Sequence, residues 1–320
     1  MSHSGKTQKT LNRYLSRWDR RLERELARFR RKTPGEKVFD LLVWVFLCFG
    51  VVICAYPFLY VLSVSLSSGE AVNKGQVWLL PVGLSLDSLV TVLTFRQLWV
   101  SFGNTVLYTV AGTALNLLMT CLAAYPLSRH RFFLRRQVNF LITLTMYFSG
   151  GLIPIYIVVT KLGLYNSRWA MILPVLISAF NVMICRSAFE GLPEDLFEEA
   201  AIEGANDLYI FGRIAVPLIK PTLAVLTLYY GVARYNDFYS AMLYISDPKK
   251  EPLQLFLRRV LLQASMEITQ TTGLDMAAMS QYTIQIRYVC IVLSVVPILV
   301  IIPIVHRYLI QGAMIGAVKG

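Results

Sequence analysis

Long apolar runs separated by short polar stretches dominate the chain, and their length decides what they are. A helix rises about 1.5 Å per residue, so about 20 apolar residues cross the hydrocarbon core of a bilayer. Runs of that length fall at 38–66, 103–128, 138–160, 168–188, 219–245 and 286–311. The pattern predicts an all-α integral membrane protein with six transmembrane helices over 38–311, flanked by a tail at 1–37 and a short one at 312–320. The first run is no signal peptide, because it starts after 37 residues and continues past an h-region without a small-residue cleavage site. Gly150, Gly151 and Pro154 interrupt the third run, which reads as a kinked span; a hinge and close helix packing both account for them.

Composition agrees with this pattern. Hydrophobic residues make up 56% of the chain and charged residues only 16%, against about 25% charged in a soluble domain. Too little polar surface exists to coat a water-facing shell, which also excludes disordered, collagenous and disulfide-stapled classes. The five cysteines, Cys48, Cys54, Cys121, Cys185 and Cys290, lie in apolar stretches without C-x-x-C spacing and read as small buried hydrophobes. His3, His130 and His306 are scattered, so no metal site is expected.

Charge sets the orientation. The 31 Lys and Arg against 19 Asp and Glu are unevenly placed: the tail 1–37 alone holds 12 basic and 4 acidic residues. Arg129, Arg131, Arg135 and Arg136 crowd the loop after the second span. The termini and even-numbered loops together carry 21 basic residues, and the opposite side carries nine in longer stretches. The positive-inside bias predicts both termini cytoplasmic, with 67–102 and 246–285 outside. Arginines at helical spacing from Arg13 to Arg31, with Leu22, Leu26 and Phe29 between them, fit a helix lying on anionic membrane lipid. Nucleic acid is not an expected partner of a tail tethered this way.

The stretch 190–217 breaks the charge bias. Glu190, Glu194, Asp195, Glu198, Glu199, Glu203 and Asp207 make it the most acidic part of the chain. Pro193 with Glu194 and Asp195 reads as a helix start, acids facing the positive end of the dipole. Leu196, Ala200 and Ala201 lie on one side of that short helix. Gly204 permits a turn, Asn206-Asp207 can cap a second helix carrying Leu208, Phe211 and Ile214, and Pro217 and Pro221 mark its end. The expectation is a compact helical knob; a solvated loop with ordinary caps has the same spacing.

The stretch from Glu198 through Glu199, Ala200, Ala201 and Glu203 to Gly204, followed by Ile214-Ala215-Val216-Pro217, resembles the EAA loop of ABC-importer permeases. Counting back from Gly204 makes Glu198 the motif Glu, with Glu199 and Val216 as departures; pairing Glu199-Ala200-Ala201 keeps the letters but shortens the spacing by one. Tyr56-Pro57, the run from Ala124 to Arg129, Phe148 to Pro154, and Gly316 to Gly320 resemble the MalG-like carbohydrate branch of the LplC/YtcP type, over about residues 36–320. The resemblance implies a permease subunit of the cell membrane whose knob (Glu198, Glu199, Ala200, Gly204, Ile214, Pro217) couples to an ATPase. It also implies a second homologous permease, two ATPase subunits that bind ATP and Mg, an extracellular substrate-binding lipoprotein and an oligosaccharide cargo. No cofactor is expected in this chain: Ser4-Gly5-Lys6-Thr7 echoes the end of a P-loop, but no strand precedes it.

Charges inside a span are costly and tend to face a cavity or a partner. The fifth span holds Arg234 and Asp237 at i, i+3, among Tyr229, Tyr230, Tyr235, Asn236, Phe238 and Tyr239. Two roles fit: a sugar pathway lined by Tyr230, Arg234, Tyr235, Asn236 and Asp237, or a structural ion pair with interfacial aromatics. The rival functions are a peptide importer of the same class, a secondary transporter and an intramembrane enzyme. No acidic or histidine relay and no catalytic motif supports the last two.

Overall fold

The computed structural model describes residues 33–270, 285–297 and 299. All regular elements among them are helical, and the chain falls into two units that divide between Tyr60 and Val61. Residues 1–32 of the predicted tail 1–37, and the predicted tail 312–320, lie outside the described residues.

The described part of the first unit is one helix, α1 (Pro34–Ser65), which runs on five residues past the division. A capping box starts it: the Thr33 amide donates to the Glu36 carboxylate at 2.8 Å, and the Glu36 amide donates to Thr33 Oγ1 at 3.4 Å. Pro34 at the first helical position has no amide to leave unpaired. Phe39, Trp44, Phe46, Phe49, Val52 and Phe58 are all exposed, so the helix is apolar all round. A bilayer is the medium in which such a surface is stable.

The second unit is built on α4 (Arg96–Ser128), whose buried residues recur every three to four positions: Ser101, Thr105, Tyr108, Gly112, Asn116, Thr120, Ala124 and Leu127. Small and hydroxyl side chains along this stripe let other helices approach closely. Upstream lie α2 (Gly69–Asn73) and α3 (Asp87–Thr94). Downstream follow α5 (Arg135–Tyr147), α6 (Leu152–Lys161), two 3-10 turns (Arg168–Met171 and Leu173–Val175) and α7 (Ala179–Glu190). The remaining elements are α8 (Asp195–Ile202), α9 (Asp207–Leu218), α10 (Lys220–Tyr235), α11 (Tyr239–Tyr244), α12 (Leu253–Gln270) and α13 (Gln285–Pro297).

Three of the predicted spans are broken. Among the described residues, α1 and α4 are each long and apolar enough to cross a membrane, and three bent helix pairs qualify only when each pair is taken together. The third run, expected as a kink, turns by 114° between α5 and α6, where Gly151 adopts φ +82°. The fourth bends by 54° after its 3-10 turns, which contain Pro174. The fifth meets α9 at 81° near Pro217 and Pro221, and its helix stops at Tyr235 instead of continuing to 245. The sixth is described as far as α13; the rest of 286–311 lies outside the described residues apart from position 299.

The loop after α11 is tied to α4. Asn104 Nδ2 donates to the Lys249 and Glu251 carbonyls at 2.8 and 3.1 Å, Tyr108 donates to the Lys250 carbonyl at 2.7 Å, and the Leu253 amide donates to Thr105 Oγ1 at 2.7 Å. Helix α12 then buries Leu253, Phe256 and Leu257 against Val92, Leu98 and Val289.

Candidate coupling knob and intramembrane polar cluster

Helix α8 starts two residues after Pro193, with Asp195 and Glu198 in its first turn. Its inner face is Phe197 and Ala200, and Leu196 and Ala201 are exposed. The end of the helix forms a Schellman motif: the Ala205 amide donates to the Ala200 carbonyl at 3.0 Å and the Gly204 amide to the Ala201 carbonyl at 3.1 Å. Gly204 holds φ +85°, the left-handed region that this motif requires.

The second knob helix, α9, is capped as the residues predict, with Asn206 Oδ1 accepting from the Tyr209 amide at 2.8 Å. Its middle, Ile210–Ala215, is π-helical. Ile210 and Ala215 are buried, and Phe211 and Ile214 pack against the same cluster as Phe197, Ala200, Cys121, Ala124 and Phe189. Leu208, on the same helix, is 76% exposed, and Ile202 is 86% exposed. The knob therefore has a packed base on α4 and α7 and an open tip carrying Ile202 and Leu208, with Glu198, Glu199 and Glu203 also solvent-facing.

Glu190, at the end of α7, ties the base to α5. It accepts from Arg186 at 2.8 Å and from Arg135. Burial raises its carboxyl pKa, but the hydrogen bonds and charges of Arg186 and Arg135 together hold it below the usual carboxylate range. Beside the knob is a cavity of about 430 Å³, lined by Tyr125, Arg129, Glu194, Phe197, Asp207 and Phe211. No motif singled out Arg129 or Phe197 for a role at this site; the contact between them is tertiary, and local spacing carries no signal of it.

Higher in the bundle, Arg234 is only 7% exposed. Its guanidinium donates to the carbonyls of Met171, Ile172 (3.0 Å) and Val175 (3.1 Å), and to Asn116 Oδ1 at 2.8 Å. These carbonyls belong to the broken fourth span, where 3-10 turns leave acceptors that an unbroken helix would pair internally. Asn116 Nδ2 donates to the Val175 carbonyl at 3.1 Å. Tyr230 joins the same cluster: its hydroxyl pairs with Thr120 Oγ1 at 2.7 Å and accepts from the Ser178 amide at 3.3 Å. Tyr235 is buried and donates to the Ser294 carbonyl at 2.9 Å.

Asp237 does not join Arg234. It accepts from the Ser240 amide at 3.0 Å at the start of α11, and exposed Asn236 donates to the Val232 carbonyl at 3.0 Å. The structural ion pair considered from the sequence is therefore absent. Spacing of i, i+3 brings side chains together only within a continuous helix, and α10 ends between the two residues.

The bundle of broken apolar helices, the helical knob and the buried polar cluster are the architecture of a membrane transport component. Residues 116–314 match the family described as binding-protein-dependent transport system inner membrane component, and the chain belongs to that family. It is a permease subunit of an ABC importer, a transport component and not an enzyme. The chain is 37% identical over 285 residues to the polygalacturonan/rhamnogalacturonan transport system permease protein YtcP of Bacillus subtilis (strain 168), covering 89% of this chain and 99% of that relative. Protein LplC of the same organism is 36% identical over 288 residues, covering 90% and 97%. Among solved structures, a bacterial ABC transporter involved in the import of the acidic polysaccharide alginate matches with a TM-score of 0.79 and 31% identity, over 87% of this chain and 98% of that one.

Proposed function

We propose that this chain forms half of the alternating-access pathway of an oligosaccharide importer and is driven from the cytoplasm by a separate ATPase that seats the knob of α8 and α9. The observation that carries this reading is the split character of the knob. Its base is packed into the protein core, while Ile202 and Leu208 stand open at its tip beside an acidic face. Exposed apolar side chains rimmed by charge mark a docking surface. ATP and Mg bind on the ATPase, a second homologous permease completes the pathway, and an extracellular binding protein delivers the cargo. Both termini and the knob are cytoplasmic.

YtcP is named for polygalacturonan/rhamnogalacturonan transport and the matching solved structure for import of the acidic polysaccharide alginate, which supports a uronic-acid oligosaccharide as cargo. Asn236 and Asp237, at the break after α10, are the pathway residues; Tyr230, Arg234 and Tyr235 act behind them by holding the surrounding helices. Uptake of a peptide mixture with no uptake of labelled oligogalacturonate would overturn the cargo assignment.

Reversing the acidic face tests the docking. Glu198→Lys with Glu199→Lys is expected to reduce co-purification of the ATPase about tenfold, the equivalent of roughly 1.4 kcal/mol, without changing membrane insertion. Normal co-purification would remove the knob from the ATPase interface. The orientation has its own check, in a background with Cys48 and Cys54 replaced by alanine. In intact cells Lys249→Cys is expected to react with an impermeant thiol reagent and Arg131→Cys to resist it; the opposite pattern would overturn the topology.

A further inference from the structure

We infer that Arg129 is a positioning residue of the transport cycle, a link that, beside the apolar base, carries movement of the knob to the end of α4. This role presupposes that the knob is where the ATPase docks.

The local chain explains how Arg129 comes to sit there. Helix α4 ends at Ser128, and Arg129 is its cap, in extended conformation with φ −83° and ψ 133°. Its amide donates to the Pro126 carbonyl at 3.1 Å, which holds the residue against the helix end. From that point its side chain reaches the first knob helix. The guanidinium carbon lies 3.4 Å from the centroid of the Phe197 ring and 5.1 Å from that of Tyr125. Tyr125 lies one turn earlier on α4 itself, whereas Phe197 belongs to α8.

The faces of the guanidinium make these contacts. Nε and Nη2 of Arg129 are buried and have no hydrogen-bond partner. Glu194 and Glu198 line the cavity beside it, and the Glu194 charge acts on the guanidinium, but among the described residues no ion pair within 4 Å joins either to Arg129. Stacking on Phe197 thus ties the cap of α4 to α8 beside the apolar packing of Phe197 and Ala200 on Cys121, Ala124 and Leu127. A planar, delocalised cation suits this arrangement and an ammonium does not. Phe197 is only 8% exposed and, as part of α8, moves with the first knob helix.

The far side of the link has a consequence for the pathway. Asn116 lies 13 residues before Arg129 on the same helix, about 20 Å along its axis. Asn116 holds Arg234 and, through it, the carbonyls of the broken fourth span. A displacement of Phe197 that carries Arg129 with it thus moves the helix to which the fourth span is anchored. The cavity of about 430 Å³ borders both Arg129 and Phe197, so the stack is not buttressed on that side and has room to shift.

The test uses the assembled importer with Cys48 and Cys54 replaced by alanine and a reporter thiol at Arg96→Cys, an exposed position on α4 outside the apolar run 103–128. Maleimide reactivity of this thiol is measured without nucleotide and after trapping with ATP, Mg and vanadate. In the parent the rate is expected to differ between the two states. Arg129→Gln and Phe197→Leu should each reduce that difference by about fivefold to thirtyfold, the scale of a desolvated cation–π contact, with ATPase co-purification kept within about twofold, well under 1.4 kcal/mol. Phe197→Trp, which keeps an aromatic face, should retain the parental difference, and the double variant should be no worse than either single one.

A nucleotide response unchanged in both variants would overturn the link. So would losses that multiply in the double variant, or a parent whose thiol ignores nucleotide, because α4 would then be stationary. Loss of ATPase co-purification in both variants would assign the pair to docking and overturn it as well. These outcomes are separate from failure of the docking role itself, which appears as normal co-purification in the Glu198→Lys, Glu199→Lys chain.

Discussion

Arg234→Met is expected to destabilise the assembled permease by about 2–4 kcal/mol, seen as a lower unfolding temperature and reduced yield of complex in detergent. The guanidinium satisfies three main-chain carbonyls and the Asn116 side chain at a site that is only 7% exposed. Each buried acceptor left unpaired costs about 1–3 kcal/mol, reduced in a membrane where the freed group finds other partners. Arg234→Lys should recover part of the loss, because an ammonium donates to fewer acceptors and cannot fork between them. Gly112→Val should resemble Arg234→Met, since a Cβ at Gly112 would lie 3.1 Å from Arg234 Nε and push the side chain out of register. If Arg234 touched cargo instead of holding the fourth span, both Arg234 substitutions would abolish uptake at unchanged thermal stability. That result would overturn the clamp.

The second large effect is expected at Gly204. No atom lies within 4 Å of a Cβ built there, so substitution meets no clash, and the whole cost is conformational. Left-handed backbone costs an L-residue about 1–2 kcal/mol, more for a β-branched one. Gly204→Val should therefore unmake the two Schellman hydrogen bonds, turn α9 relative to α8, and reduce ATPase co-purification about tenfold. Gly204→Asn should be close to normal, because asparagine tolerates this conformation. Equal co-purification for glycine, asparagine and valine would show that the ATPase does not depend on the shape of this turn.

The two substitutions differ in how visible their sites are in the chain. The Gly204 turn and the Asn206 cap were legible because both are settled within a few residues, by backbone freedom and by a side chain reaching its own helix start. The acidic, exposed character of Glu198 and Glu199 was legible for the same local reason. Which residues form the inner face of α8 was not: Phe197 and Ala200 are buried by what they meet on α4 and α7. Helix α12 was missed because its apolar positions form only one face, too few to read as a span.

Run length and hydropathy were sufficient for α1 and α4, since a helix long enough to cross a bilayer satisfies its own backbone whatever surrounds it. They were insufficient for the third, fourth and fifth runs. Gly151, Pro174 and Pro217 are visible as interruptions, but the size of each break depends on whether freed backbone groups find partners. In the fourth run, the partners are Arg234 and Tyr230, about 60 residues further along, with Asn116 about 60 residues before. The sequence alone determined the membrane class, the long spans and the turn of the knob, because these depend on local energetics. Tertiary structure decided the broken spans, the clamp at Arg234 and the stack of Arg129 on Phe197, because each depends on groups far apart in the chain that only folding brings within hydrogen-bonding or stacking distance.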